Sequence, residues 1–140
     1  YNPSTRQWTW MSGANRRNQR GVYGLKGVPN FTNIPGARAG SISWNDDVGN
    51  LWLFGGFGYD GFANWGNLND LWRYNLATGQ WTWMSGADAA NQPGIYGIKG
   101  IPDPINVPGA RLYSISWNDE AGNFWIFGGQ NYIDGDTRTF

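Results

Sequence analysis

The sequence predicts an all-β fold of short antiparallel strands, and three observations carry that prediction. The chain repeats itself. Its apolar residues alternate or stand in runs of four, without the 3.6-residue period of an amphipathic helix. Twenty-two glycines punctuate those runs. Residues 1–59 align without a gap on residues 74–132, an offset of 73, with 37 of 59 positions identical. The matched blocks include QWTWMSGA from Gln7 and Gln80, PGAR from Pro35 and Pro108, SISWND from Ser41 and Ser114, and LWLFGG and FWIFGG ending at Gly56 and Gly129. Many exchanges keep apolar volume, such as Val22 for Ile95, Leu25 for Ile98, Val28 for Ile101, Leu51 for Phe124 and Leu53 for Ile126. Such conservation is expected where side chains pack.

Taken in order, one period reads as four strands. Ala37–Trp44 alternates, with Ile42 and Trp44 on one face and Ser41 and Ser43 on the other. Asn45–Asn50, with two Asp and a Gly, is a turn. Leu51–Phe54 is apolar on both faces, the pattern of a strand covered on both sides, and Gly55 and Gly56 are expected to end it. Leu68–Tyr74 and Gln80–Met84 follow, joined by a turn at Thr78 and Gly79. Ser12–Pro35, matched by Ser85–Pro108, is a 24-residue connection between units. Loops of that length are usually functional or disordered. This one carries GxYGxKGxP twice, at Gly21–Pro29 and Gly94–Pro102, and is expected to be ordered.

A four-stranded sheet that is apolar on both faces must be sandwiched between similar sheets, the situation of a blade in a β-propeller. A double glycine closes the second strand at Gly55, Gly56 and at Gly128, Gly129; NDLWRYN follows, and a Tyr–Trp pair recurs as Tyr74, Trp81 and Tyr1, Trp8. In these features the chain resembles the kelch-repeat family, which includes the central propeller of galactose-oxidase-type enzymes. The resemblance implies kelch-type β-propeller blades of four antiparallel strands, about two of them over residues 1–140. Repeat one is 1–73 and repeat two 74–140, the latter lacking its third strand, the counterpart of Asn69–Arg73. The period of 73 departs from the roughly 50 of a kelch repeat, and the extra length lies in the 24-residue connection. Closed propellers need roughly four to eight blades. The expectation is therefore further blades from the same or another chain, either as a longer array or as a homo-oligomer in which three copies close a ring of about six blades.

Ten Lys and Arg balance ten Asp and Glu, against the basic footprint of a nucleic-acid or membrane-surface protein. No apolar run approaches the roughly 18 residues of a membrane span. Without Cys there is no disulfide, thiolate metal site or cysteine nucleophile. Without His, zinc hydrolysis and Ser-His-Asp chemistry cannot be built from these residues. Galactose-oxidase-type enzymes use a copper site with two histidines and a tyrosine cross-linked to a cysteine, so no active-site residue carries over. The expectation is a module without catalytic residues, cofactor or metal. The high aromatic and Asn/Gly content with little charge points to an extracellular or cell-surface setting.

In such a unit alternate connections fall on opposite rims. Asn45–Asn50 and Asn75–Gln80 share one; the 24-residue loop and Phe57–Asn67 share the other. The long-loop face is expected to bind a protein or a glycan, since loops on a rigid scaffold carry most recognition. It bears Tyr23, Phe31, Tyr59, Phe62 and Trp65 in the first repeat, and Tyr96 and Tyr132 in the second. A flat ring stacks on a pyranose while neighbouring Asn, Asp and Arg bond its hydroxyls. Arg38 and Arg111, at the start of the innermost strand, either line a central channel or bond loop carbonyls or an acidic group. Lys26 and Lys99 read as ties for the long loop; Arg16, Arg17 and Arg20 read as a solvated edge. Trp8, Trp10, Trp44, Trp52, Trp72, Trp81, Trp83, Trp117 and Trp125 fall in strands and read as packing, leaving Trp65 alone in a loop. Asp60, Asn64, Asn67, Asn69 and Asp70 offer oxygens to a hard cation, with Asp134 and Asp136 in the later region, but without the spacing of a calcium loop. Asn30-Phe31-Thr32 is the one glycosylation sequon.

Overall fold

The computed structural model describes residues 1–133 and 136–139, with side-chain surroundings through Asn131. The described chain is all-β. Strands β1 (Arg38–Ala39), β2 (Ile42–Asn45), β3 (Leu51–Tyr59), β4 (Trp65–Asn75) and β5 (Gln80–Ser85) form one sheet. Strands β6 (Ile115–Asn118) and β7 (Phe124–Phe127) pair separately, as do β8 (Gln130–Ile133) and β9 (Asp136–Thr139), and every pairing is antiparallel.

The predicted strand from Ala37 to Trp44 forms in two pieces. Both β1 and β2 pair with β3, with Arg38 opposite Gly58 and Trp44 opposite Trp52. Between them the backbone turns left-handed at Gly40, φ 66°. The turn after β2 is held by Asp46, whose carboxylate accepts from the Val48 and Asn50 amides, Asn50 Nδ2 and Trp52 Nε1. Asp119 repeats the arrangement with Ala121, Asn123 and Trp125. Desolvation opposes ionisation of Asp46, but the bonds from Asn50 and Trp52 outweigh it and bring its carboxyl down to about 2. Donation from Asn123 and Trp125 brings Asp119 down to about 2 as well. Both folded values lie below the unfolded value of roughly 3.9, so the stabilisation is full above about pH 4 and is lost as pH falls toward 2. Thermal melts should hold their midpoint from neutral pH to about pH 4.5 and drop below it. The Asp46→Ala variant should show a shallower drop.

The double glycine does not end its strand. β3 continues to Tyr59, and its register against β4 shifts between Phe54 and Gly56, a bulge. Gly55 and Gly56 have φ of 62° and 97°. The Gly56 amide donates to the Arg111 carbonyl at 2.8 Å, and a Cβ on Gly55 would sit 2.7 Å from that oxygen. The two glycines therefore admit the backbone of the second repeat. Phe57–Asn67, expected as a connection, is mostly the outer part of the β3–β4 hairpin, with Asp60–Asn64 at its tip.

Like strands of the two repeats lie side by side. Asn118 Nδ2 donates to the carbonyl of Asn45, its own counterpart, and the Tyr113 amide donates to Gly40. Trp44 stacks on Phe124 at 5.2 Å, with Trp52 edge-on to the same ring at 5.1 Å. Further in, Asn67 Nδ2 donates to Asn131 Oδ1, both residues buried.

The long connection is ordered, as expected, but it does more than decorate the rim. Val22 and Ile34 bridge each other, and the loop folds back along β5, where the Gly27 amide donates to Trp83 and the Asn30 amide to Trp81. It thereby covers an edge whose carbonyls would otherwise stand unpaired. Lys26 ties it down, with Nζ 2.8 Å from the Gly86 carbonyl and 4.4 Å from the Trp83 ring centroid.

One packing expectation fails for four tryptophans. Trp8 (84 % exposed), Trp10 (65 %), Trp117 and Trp125 lie open. Their counterparts Trp81 and Trp83 sit under the long loop, and Trp44 and Trp52 pack against Phe124 of the other repeat. No described segment covers the exposed set in the same way.

Candidate ligand-binding surface

Tyr23 and Arg38, expected on the binding face, belong to the core. The fully buried Asp70 takes a two-pronged ion pair from Arg38 at 2.6 and 2.7 Å, a bond from the Tyr23 hydroxyl at 2.6 Å and another from Trp72 Nε1 at 2.7 Å. Arg38 also donates to the Gly36 and Gly55 carbonyls. Of the two expectations for Arg38, the bond to an acidic group and loop carbonyls is the one formed, and it draws the residue inward. Burial raises the Tyr23 phenol, and the adjacent Asp70 charge raises it further, so it stays protonated and donates. Tyr23 also packs on Trp72 at 4.8 Å and edge-on to Trp83 at 5.1 Å.

Of the side chains expected to offer oxygens to a cation, Asp60, Asn69 and Asp70 are engaged elsewhere, whereas the buried Asn67 Oδ1 has no partner among the described residues. Asp60 accepts from the Phe62, Asn64 and Ala90 amides and from Asn64 Nδ2. Burial opposes its ionisation, but these donors, Ala90 foremost, outweigh it and lower its pKa. Asn69 Oδ1 accepts from Ala87 while Nδ2 donates to Pro108. Among the described residues no three His, Cys, Asp or Glu gather as metal ligands. Asp134 and the side chain of Asp136 lie outside the described residues, as does that of Tyr132.

The long-loop end of the sheet carries an aromatic cluster at the β3–β4 hairpin. Trp65 stands opposite Tyr59, with ring centroids 4.7 Å apart, and 4.8 Å from Phe57. Held on two paired strands, Trp65 is 54 % exposed and borders a shallow depression with Arg17, Asn18, Arg38, Ala39 and Phe57. The loop and hairpin meet through the Gly21 amide on the Asp60 carbonyl, and the next connection joins them through Gly61 on Asp88 and Asn91 on Asn67. Phe62 projects from the hairpin tip beside Arg20 and Asp88. The structure thus brings Tyr59 and Trp65 together and sets Phe62 apart from them. Phe57, Arg17 and Asn18 were missed; had β3 been continued past the double glycine, its alternation would have put Phe57 and Tyr59 on one face.

In the second repeat Arg111 bonds the Gly109 and Gly128 carbonyls as Arg38 bonds Gly36 and Gly55, but its outer nitrogen meets the Tyr96 hydroxyl at 2.9 Å. Tyr96 and Phe31 are exposed. The Tyr–Trp pairs are contacts, Tyr74 with Trp81 at 4.9 Å and Tyr1 with Trp8 at 5.2 Å. Searched against family models, curated proteins and solved structures, the chain matches none.

Proposed function

We propose that this chain is a non-catalytic binding module, built of kelch-type propeller blades, whose long-loop end engages a protein or glycan ligand through Trp65. The observation that carries the reading is the exposed Trp65, fixed by Phe57 and Tyr59, in a depression that Arg17 and Asn18 also line. A rigid ring costs little ordering entropy on binding and contributes disproportionately to affinity. Ring and polar groups together favour a sugar, whose apolar face stacks while its hydroxyls are bonded. The engagement of Asp46, Asp60, Asp70 and Asp119 by neighbouring donors supports a binding role over acid–base chemistry. The absence of His and Cys from the sequence does the same.

Isothermal titration against neutral oligosaccharides, and against a panel of short peptides, tests this. Heat with one panel, lost by about tenfold or more in affinity on Trp65→Ala with the melting transition retained, is the expected result. Heat from peptides alone would replace the glycan reading with a protein ligand. Flat heats with both panels, or binding indifferent to Trp65→Ala, would overturn the proposal.

A further inference from the structure

The turn at Asn30–Asn33 is built twice, and only the first copy carries the residues of a glycosylation sequon. In that copy the Asn33 amide donates to the Asn30 carbonyl at 3.1 Å, and Asn30 Oδ1 accepts from the Thr32 amide at 2.9 Å. In the second, the Asn106 amide donates to the Asp103 carbonyl at 3.0 Å, and Asp103 Oδ1 accepts from the Ile105 amide at 3.0 Å. Asp103, Pro104 and Ile105 thus make the same turn without a carboxamide, without a hydroxyl and with proline in the middle, the residue that a sequon excludes. The turn accounts for a side-chain acceptor at its first position. It does not account for Asn30 and Thr32 together.

The turn stands open in both copies. Asn30, Phe31 and Thr32 are exposed although β5 lies beside them and the second repeat follows, and Asp103, Pro104 and Ile105 are exposed although the first repeat precedes them. Neither the strand nor an adjoining unit on either side covers this position. The turn is also held in place, because the Asn30 amide donates to the Trp81 carbonyl at 3.3 Å and Asn33 Nδ2 to the carbonyls of Val28 and Trp81. Trp81 pairs with Tyr74, at the far end of β4 from Trp65, so a group attached at Asn30 leaves the candidate ligand surface clear.

The side chain is presented for reaction. Asn30 Oδ1 accepts a second bond, from the Thr32 hydroxyl at 2.9 Å, while Nδ2 has no partner among the described residues. Two donors on the oxygen draw electron density from the carboxamide and make its N–H protons easier to remove.

We propose that Asn30 is an N-glycosylation site, taking a sugar from a diphosphate-activated donor through a glycosyltransferase. A bond forms between Nδ2 and the anomeric carbon as that carbon's bond to the diphosphate oxygen breaks. The diphosphate leaves with the electron pair, and one Nδ2 proton passes to a base of the transferase. The attached sugar stands next to Phe31, which is 78 % exposed, and shields apolar surface that the described chain leaves open. The inference involves neither Trp65 nor its depression and stands independently of the ligand reading.

Incubating the folded 140-residue chain with a soluble sequon-directed N-glucosyltransferase and UDP-glucose, followed by intact-mass measurement and peptide mapping, tests it. A peptide of residues 26–36, treated in parallel, reports on the enzyme. The expected result is one hexose per chain, carried by Asn30, and its loss in Thr32→Ala with the melting transition retained; Thr32 is exposed, so the change does not threaten the fold. Combining Asp103→Asn, Pro104→Phe and Ile105→Thr, all at exposed positions, should add a second hexose on the corresponding turn. A folded chain that stays unmodified would overturn the proposal in either case: with the peptide modified, the turn is closed to the enzyme, and with the peptide unmodified, the sequence is no acceptor. So would hexose that persists in Thr32→Ala or that falls on another residue.

Discussion

Asp70→Ala is expected to cost about 3–5 kcal/mol of folding stability, the scale seen when one partner of a buried ion pair is removed. The carboxylate has no solvent access, and the Arg38 side chain has 6 %. Without Asp70, a guanidinium, a phenol and an indole N–H lose their shared acceptor in a place water does not reach. Against a total of about 5–15 kcal/mol for a typical domain, that loss brings the chain near its unfolding threshold. Urea denaturation followed by tryptophan fluorescence measures it. Replacing both charges, as Arg38→Met with Asp70→Leu, should recover much of the loss, because no uncompensated charge then remains buried.

Gly86→Ala is the second large effect, expected at about 2–4 kcal/mol from the sum of overpacking and backbone strain. Gly86 has φ 79°, and a Cβ there would lie 2.0 Å from the Asn69 carbonyl oxygen, a backbone atom of a paired strand. The same glycine presents the carbonyl that Lys26 binds, so any shift also loosens the long loop. Its counterpart Gly13 supplies the control, with φ 97° and nothing within 4 Å of the added carbon. Gly13→Ala should cost only the left-handed conformation, about 1–2 kcal/mol. Urea midpoints of the two variants separate the clash from the strain.

The strands were legible because their signals are local. Ile42, Trp44 and the run Leu51–Phe54 alternate or cluster where β2 and β3 form, and the repeat shows each signal twice. What escaped depends on distant partners. Gly55 and Gly56 read as a stop, but they are a bulge whose reason, the Arg111 carbonyl, arrives from the next repeat. Tyr23 read as a rim residue, and Arg38 stood open between a central channel and an acidic or carbonyl partner, because the carboxylate that draws them inward is 47 and 32 positions away. The docking of the loop on β5 was half visible, since GxYGxKGxP and QWTWMSGA are both duplicated, yet no local rule pairs a loop with a strand some fifty residues on. Of the candidate surface, Trp65 was found because it alone among the tryptophans has no strand signal and no repeat partner, while Arg17 and Asn18 join it only through tertiary folding.

A heteronuclear titration of the indole N–H groups tests the central claim most directly, because ten tryptophans place a reporter in each part of the molecule. With neutral oligosaccharides or the peptide panel added stepwise, the Trp65 signal should move first and furthest, while the buried Trp72 stays still. A spectrum in which no indole moves, or in which the exposed Trp8 and Trp10 respond and Trp65 does not, would contradict a ligand site at the β3–β4 hairpin.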